Sequence, residues 1–263
     1  MYTVIRFFGY SVQSYYLCAA LAGIIGIVAS AVSLKKEFSD IRRVLFPTML
    51  AVLAVVSARL MNYATNPTAY GTGFPVWKLR YTKLSLMGGL IVGTIAVFVI
   101  GLITKRDPLR LLDCVTFPAA LGIVLLKLGC FLNGCCFGKP TDCTFGVVFP
   151  ANASKYRFLE SIPLFKETSP CVHPTQMYEL FGAVVSLIIA LLFERKLHAK
   201  SGVCFFTFAA CFSIARLIVL PLRVLPYSDI VKHIFYPALY GTIIIVSIAA
   251  IIFRIRHNKD DSG

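Results

Sequence analysis

Apolar positions along this chain do not alternate with polar ones. They gather in seven long runs, at residues 11–34, 44–62, 84–104, 111–132, 174–193, 202–222 and 233–253. Each run approaches the ~20 residues that an α-helix needs to cross a bilayer. The predicted fold class is therefore all-α, a polytopic membrane protein with about seven transmembrane helices. No internal repeat or low-complexity stretch divides the chain, so residues 1–263 are read as one membrane domain. The connection at 133–173, between the fourth and fifth runs, is long and rich in Gly, Pro, Cys and Thr. Long connections without periodicity commonly carry function.

Charge in the short connections gives an orientation. Lys35, Lys36, Arg42 and Arg43 follow the first run, Lys105, Arg106 and Arg110 the third, and Arg195, Lys196 and Lys200 the fifth; Arg254, Arg256 and Lys259 lie in the tail. Basic residues concentrate on the cytoplasmic side. The expected topology thus has the N-terminus outside and the C-terminus cytoplasmic, with the 133–173 connection extracytoplasmic. The first sixteen residues lack a basic region, a short apolar core and a small-residue cleavage site, so no cleavable signal peptide is expected and the first run is read as a retained helix.

Composition agrees with a membrane protein. The chain is 58% hydrophobic, only 14% charged, and has a mean hydropathy of +0.79. Lys and Arg number 26 against 12 Asp and Glu, for a net charge of +14. That excess sits in the basic connections and has no interleaved aromatics or nucleic-acid motif, so no nucleic-acid partner is assigned.

Arg59, Lys127, Glu179 and Arg216 lie inside otherwise apolar runs. A charge at the bilayer centre costs roughly 2.5–3.5 kcal/mol on insertion scales and usually faces an interior site. In the expected topology all four lie in the outer half of the membrane. If Glu179 pairs with Lys127 or Arg216, two cations remain unpartnered, and the pattern favours a pocket for an anionic ligand entering from the lipid.

Two stretches surround these charges. Residues 127–139, KLGCFLNGCCFGK, combine Gly129, Gly134 and Gly138 with Lys127, Asn133 and Lys139, which are donors suited to phosphate. Residues 173–179, HPTQMYE, place His173, Gln176 and Glu179 at i, i+3 spacing. His173-Pro174 also reads simply as a helix start.

With these motifs the chain resembles the bacterial prolipoprotein diacylglyceryl transferases. That family's fourth-segment signature reads Gly-Arg-x-Gly-Asn-Phe-x-Asn-Gly-Glu-x-x-Gly, and Lys127, Gly129, Phe131, Asn133, Gly134 and Gly138 fall in step with it. Its Gly-x-x-Phe-Pro and His-Pro-Ser-Gln-x-Tyr-Glu elements are similar to Gly146 through Pro150 and to His173 through Glu179, with Gln176 and Tyr178 in place. Arg59 resembles an arginine of its second segment, Gly88 and Gly89 its Ser-Phe-His-Gly-Gly element, and Arg216 and Arg223 two arginines at the end of its sixth. The chain departs from the pattern at several positions. Met87 replaces a His, Lys127 an Arg, Cys130 an Asn and Cys135 a Glu; Leu220 stands where a Glu is expected, and Phe212 and Phe8 where tyrosines are.

The resemblance implies transfer of a diacylglyceryl group from phosphatidylglycerol to the lipobox cysteine of prolipoprotein signal peptides, at the outer leaflet of a bacterial plasma membrane and without a cofactor. It implies catalytic roles for Arg216 and Lys127. Arg59, Gly88, Gly89, Asn133, Gly134, Gly138, Gln176, Tyr178, Glu179 and Arg223 would then bind substrate. With Met at position 87, His173 is the nearby candidate base, oriented by Glu179. The missing His, Glu and Tyr keep two alternatives open: a non-catalytic lipid- or lipoprotein-binding relative, and a transferase with another acceptor. A transporter is disfavoured by the lack of repeats.

Nine cysteines are present. Cys18, Cys114, Cys204 and Cys211 lie in apolar runs and read as small core residues. Cys130, Cys135, Cys136, Cys143 and Cys171 cluster near one connection with His173. Disulfides, reactive thiols and metal ligands all suit that pattern; the paired spacing usual in zinc sites is weak here, and no metal is assigned.

Overall fold

The computed structural model describes residues 4–7, 10–67, 84–149, 171–197, 201–225 and 227–260. Phe8, Pro150, most of the connection between the second and third runs, and the middle of the 133–173 connection lie outside the described residues. Seven helices are long and apolar enough to span a membrane, and the chain is a multi-pass membrane protein. They are α1 (Ser14–Ser33), α2 (Arg42–Thr65), α3 (Leu86–Ile103), α4 (Pro108–Asn133), α5 (Thr175–Leu197), α6 (Val203–Val219) and α7 (Tyr236–Asp260). Short 3₁₀ turns extend α1 through Leu34–Lys36 and α6 through Leu220–Leu222, and a π turn at Val231–Phe235 leads into α7. One element was not expected: an antiparallel hairpin, β1 (Val4–Phe7) with β2 (Tyr10–Gln13), pairing Val4 with Gln13 and Phe7 with Tyr10.

Helix ends follow local chemistry. Asp107 caps α4, accepting from the Leu109 N–H at 3.0 Å, with Pro108 at the first helical position. Gly134 stops the same helix in the left-handed conformation at φ 69°. The N-terminus of α6 is capped from another helix: Asp113 of α4 accepts from the Gly202 N–H at 2.5 Å and the Phe205 N–H at 2.8 Å. That anion-accepting end lies at the opposite end of α4 from Lys127.

The packing is that of a protein dissolved in lipid. Outward faces carry large apolar groups such as Ile103, Val32, Ile218 and Ile245, each about two-thirds exposed or more. Inward faces carry small and polar ones, including Ser57, Asn62, Ser186, Thr207 and Ser213. Lipid tails are as apolar as Leu, so close packing and interhelical polar contacts hold such bundles together. Helix α4 is the hub, touching α1, α3, α5 and α6. A core of Met87, Ile123, Phe208, Phe212, Tyr236 and Tyr240 joins α3, α4, α6 and α7.

Candidate functional site

The last turn of α4 and the first turn of α5 meet at one end of the bundle. Glu179, one turn into α5 and 2% exposed, is the centre. One carboxylate oxygen, Oε2, pairs with Lys127 Nζ of α4. The other, Oε1, pairs with Arg216 Nη1 of α6 and with Arg223 Nη1 at 3.0 Å. Arg216 is held in turn by α7: its Nε and Nη2 donate to the Tyr240 hydroxyl at 3.2 and 2.9 Å, and its guanidinium lies 5.6 Å from that ring's centre. This corrects the expectation that two cations stand unpartnered. Two carboxylate oxygens hold three cations, Arg223 among them. What survives is net charge, since one anion among three cations leaves two positive charges in a buried site.

Arg223 lies just past α6. Burial works against its charge, but the Glu179 carboxylate outweighs that and holds the guanidinium above its usual range. Its backbone pairs with Gly138, and the neighbouring Lys139 N–H donates to the Leu222 carbonyl at 2.7 Å. Gly138 also donates to the His173 carbonyl at 2.8 Å, while His173 N–H reaches the Lys139 carbonyl at 3.0 Å. A Cβ on Gly138 would sit 2.6 Å from Leu222 O and 2.7 Å from His173 Cβ, so this three-way crossing admits only glycine. Phe137, Phe149 and Val172 pack beneath it.

Gln176 and Glu179 do share the inward face of α5, and both are fully buried. Gln176 Nε2 donates to the Cys135 carbonyl at 2.6 Å, and Thr175 Oγ1 to the Cys136 carbonyl at 2.8 Å. His173 is not on that face. It precedes the helix, and its Nδ1 faces the Tyr178 hydroxyl at 3.3 Å and Cys143 Sγ at 3.9 Å. Glu179, occupied by cations, therefore does not orient His173; Tyr178 stands in that place. Asn133 is buried at the end of α4, and Gly134 forms the turn after it.

Gly88 and Gly89 are turned toward α2. A Cβ at Gly88 would lie 2.4 Å from Met61 Cβ and 2.5 Å from Ser57 O, and one at Gly89 3.1 Å from Ala54 O. Both glycines serve close helix contact. Arg59 is buried on α2, next to Ala58, whose carbonyl accepts from the Ser85 N–H at 2.9 Å.

All nine cysteines are free thiols. The sulfurs of Cys130, Cys135 and Cys136 lie within 4.8 Å of one another. Hydrogen bonds from the Cys130 and Cys135 thiols, with Lys127 and Arg223 nearby, hold the Cys136 thiol well below its usual range. The Cys135 thiol is pushed up by hydrogen bonding with Cys130 and Cys136 and by burial.

Sequence reasoning missed Tyr240. Its signal was present: a tyrosine deep in an apolar run, away from the interface where tyrosines of membrane helices collect. Arg223, past the end of the sixth run, entered only through the family resemblance, as a substrate-binding residue and not as a partner of Glu179.

The comparisons with known proteins point the same way as the motifs. The family model described as prolipoprotein diacylglyceryl transferase matches residues 3–255. Proteins named phosphatidylglycerol–prolipoprotein diacylglyceryl transferase are similar to the chain. The one from Clostridium tetani is 29% identical over 181 residues, 68% of this chain and 64% of that protein. The Geobacter sulfurreducens protein is 30% identical over 189 residues, 68% of this chain and 64% of its own length. The Cupriavidus metallidurans protein is 30% identical over 145 residues, 54% and 46% respectively. The chain thus spans less than two-thirds of the length of these relatives.

Proposed function

The chain belongs to the prolipoprotein diacylglyceryl transferase family, and on that footing we propose that it moves a diacylglyceryl group from phosphatidylglycerol to the lipobox cysteine of a prolipoprotein. The observation that carries this reading is the Glu179 cluster: Lys127, Arg216 and Arg223 gathered on one buried carboxylate with two positive charges to spare. A phosphodiester brings negative charge to that surplus. As the bond from glyceryl carbon to phosphate oxygen breaks, charge grows on the departing glycerol phosphate, and fixed cations in a dry site stabilise it. Arg216, braced by Tyr240, and Lys127 are assigned this catalytic work, with Glu179 setting their positions and Arg223 completing the clamp. Asn133, Gly134, Gly138 and Gln176 shape the adjoining turn. Arg59 is assigned to the substrate's α2 side, and Gly88 and Gly89 set how closely α3 packs on α2 beside it.

His173, paired with Tyr178, is the candidate base for the acceptor thiol. The reading places this chain as one membrane domain in a bacterial plasma membrane, N-terminus outside and C-terminus cytoplasmic, with the 133–173 connection and the ion cluster at the outer leaflet. The basic residues of the alternate connections support that orientation.

One observation favours a second reading. Met87 and Phe212 are packed in the apolar core, Phe212 stacked on Phe208 at 5.7 Å, and neither can move a proton. A lipid-binding relative without transfer activity, or a transferase with another acceptor, fits those two positions. Complementation separates the readings. In a strain depleted of its own diacylglyceryl transferase, the chain should restore lipidation of a reporter prolipoprotein and Arg216→Ala should not. Phosphatidylglycerol binding without lipidation by the unaltered chain would overturn the transferase reading.

A further inference from the structure

Three thiols have no part in the transfer chemistry assigned above. Cys130 lies in the last turn of α4, Gly134 reverses the chain, and Cys136 takes a left-handed backbone at φ 60°, uncommon for a side-chain-bearing residue. The result brings the three sulfurs within 4.8 Å of one another. The turn is pinned from α5: Gln176 holds the Cys135 carbonyl at 2.6 Å and Thr175 the Cys136 carbonyl at 2.8 Å. Tyr15 of α1 packs against Cys130 and Cys135. Cys130 and Cys135 are buried, whereas Cys136 is exposed.

Resting on the transferase reading, we propose that Cys130, Cys135 and Cys136 hold a zinc ion whose fourth position receives the acceptor thiol as a thiolate. Zinc binds thiolate at about 2.3 Å in a tetrahedron, which puts its sulfurs roughly 3.8 Å apart. The sulfurs here need close by an ångström at most. Three protein ligands and one open position is the pattern of catalytic rather than structural zinc, and the exposure of Cys136 leaves that position open to an incoming group. Three thiolates on zinc carry one net negative charge. Lys127, one turn before Cys130, and Arg223, paired at Gly138, supply offsetting cations.

The site answers a chemical need. The acceptor thiol must lose its proton to attack, and a coordinating thiol is deprotonated outright. In the proposed step the acceptor S–H, acidified as its sulfur binds zinc, gives its proton to His173, the candidate base already named. A sulfur lone pair then forms the bond to the glyceryl carbon as the carbon–oxygen bond to phosphate breaks. Its electron pair departs on glycerol phosphate. The neutral thioether is a weak zinc ligand and gives way to water.

The full chain, purified in detergent from zinc-supplemented cells under reducing conditions, should contain one zinc per chain by elemental mass spectrometry. Cys130→Ser, Cys135→Ser and Cys136→Ser should each lose at least nine-tenths of it, and Cys211→Ser should keep it. Should a serine variant fail to elute as folded protein, cobalt substitution of the unaltered chain carries the test. A thiolate-to-cobalt charge-transfer band should appear and shift when a lipobox peptide is added. No zinc together with no cobalt band, a Cys130–Cys135 disulfide in the reduced preparation, or undiminished lipidation after metal stripping would overturn the proposal while leaving the transferase reading intact. Stoichiometric zinc and a peptide-shifted band without lipidation would uphold the thiol site and overturn the transferase reading instead.

Discussion

The Gln176 side-chain amide donates to the Cys135 carbonyl at 2.6 Å across 41 residues of chain, with Gln176 fully buried. This bond fastens the start of α5 to the turn after α4, and so sets where Glu179, one turn further on, meets Lys127. Gln176→Leu keeps the bulk and orphans the carbonyl, at a cost of about 1–3 kcal/mol. Thermal unfolding in one detergent should show the loss, and lipidation should fall with it. Unfolding that matches the unaltered chain would mean water satisfies the carbonyl instead.

Tyr240→Phe removes the hydroxyl that accepts both Arg216 donors and leaves the ring beneath the guanidinium. A hydrogen bond to a charged group contributes about 1.5–3 kcal/mol, so transfer to a reporter should slow at least about 10-fold. Protein yield should hold, since the aromatic packing with Tyr236 remains.

Glu179→Gln leaves Lys127, Arg216 and Arg223 buried around a neutral group. Removing one partner of a buried ion pair costs about 3–5 kcal/mol. The variant should therefore be destabilised, and Lys127→Met added to it should recover part of the loss. A double variant no more stable than Glu179→Gln alone would show that Lys127 and Glu179 are not coupled in the folded protein.

Gly138→Ala and Gly26→Ala make a contrasting pair. At Gly138 the added Cβ meets Leu222 O at 2.6 Å, whereas at Gly26 nothing lies within 4 Å. The first should lose more than about 2 kcal/mol of stability and most activity. The second should be neutral or gain up to about 1 kcal/mol from helix propensity.

Much of the architecture is legible in the residues alone. Lipid forces every spanning backbone into a helix, so seven apolar runs become seven helices whose ends shift by only a few residues. The Gly88 and Gly89 contacts on α2 and the triple pairing of Glu179 were not legible. Both depend on how each helix is rotated about its axis, and runs that are apolar on all sides carry no stripe that reveals rotation. Asp113 shows the same limit: a carboxylate in an apolar run, it serves as a cap for α6. The hairpin at β1 and β2 escaped because two strands of four residues each are too short a pattern to read, with Gly9 the one turn signal between them.

Lys127 belongs to α4 and its carboxylate partner to α5, so the ribosome delivers the cation first. A growing chain must carry an unanswered ammonium into the membrane until Glu179 emerges, a penalty below the roughly 2.5–3.5 kcal/mol of a charge at the bilayer centre. Arg216 and Arg223, translated later, arrive to find their counter-ion already waiting. Biogenesis of this protein thus has a vulnerable interval, between synthesis of its fourth and fifth helices.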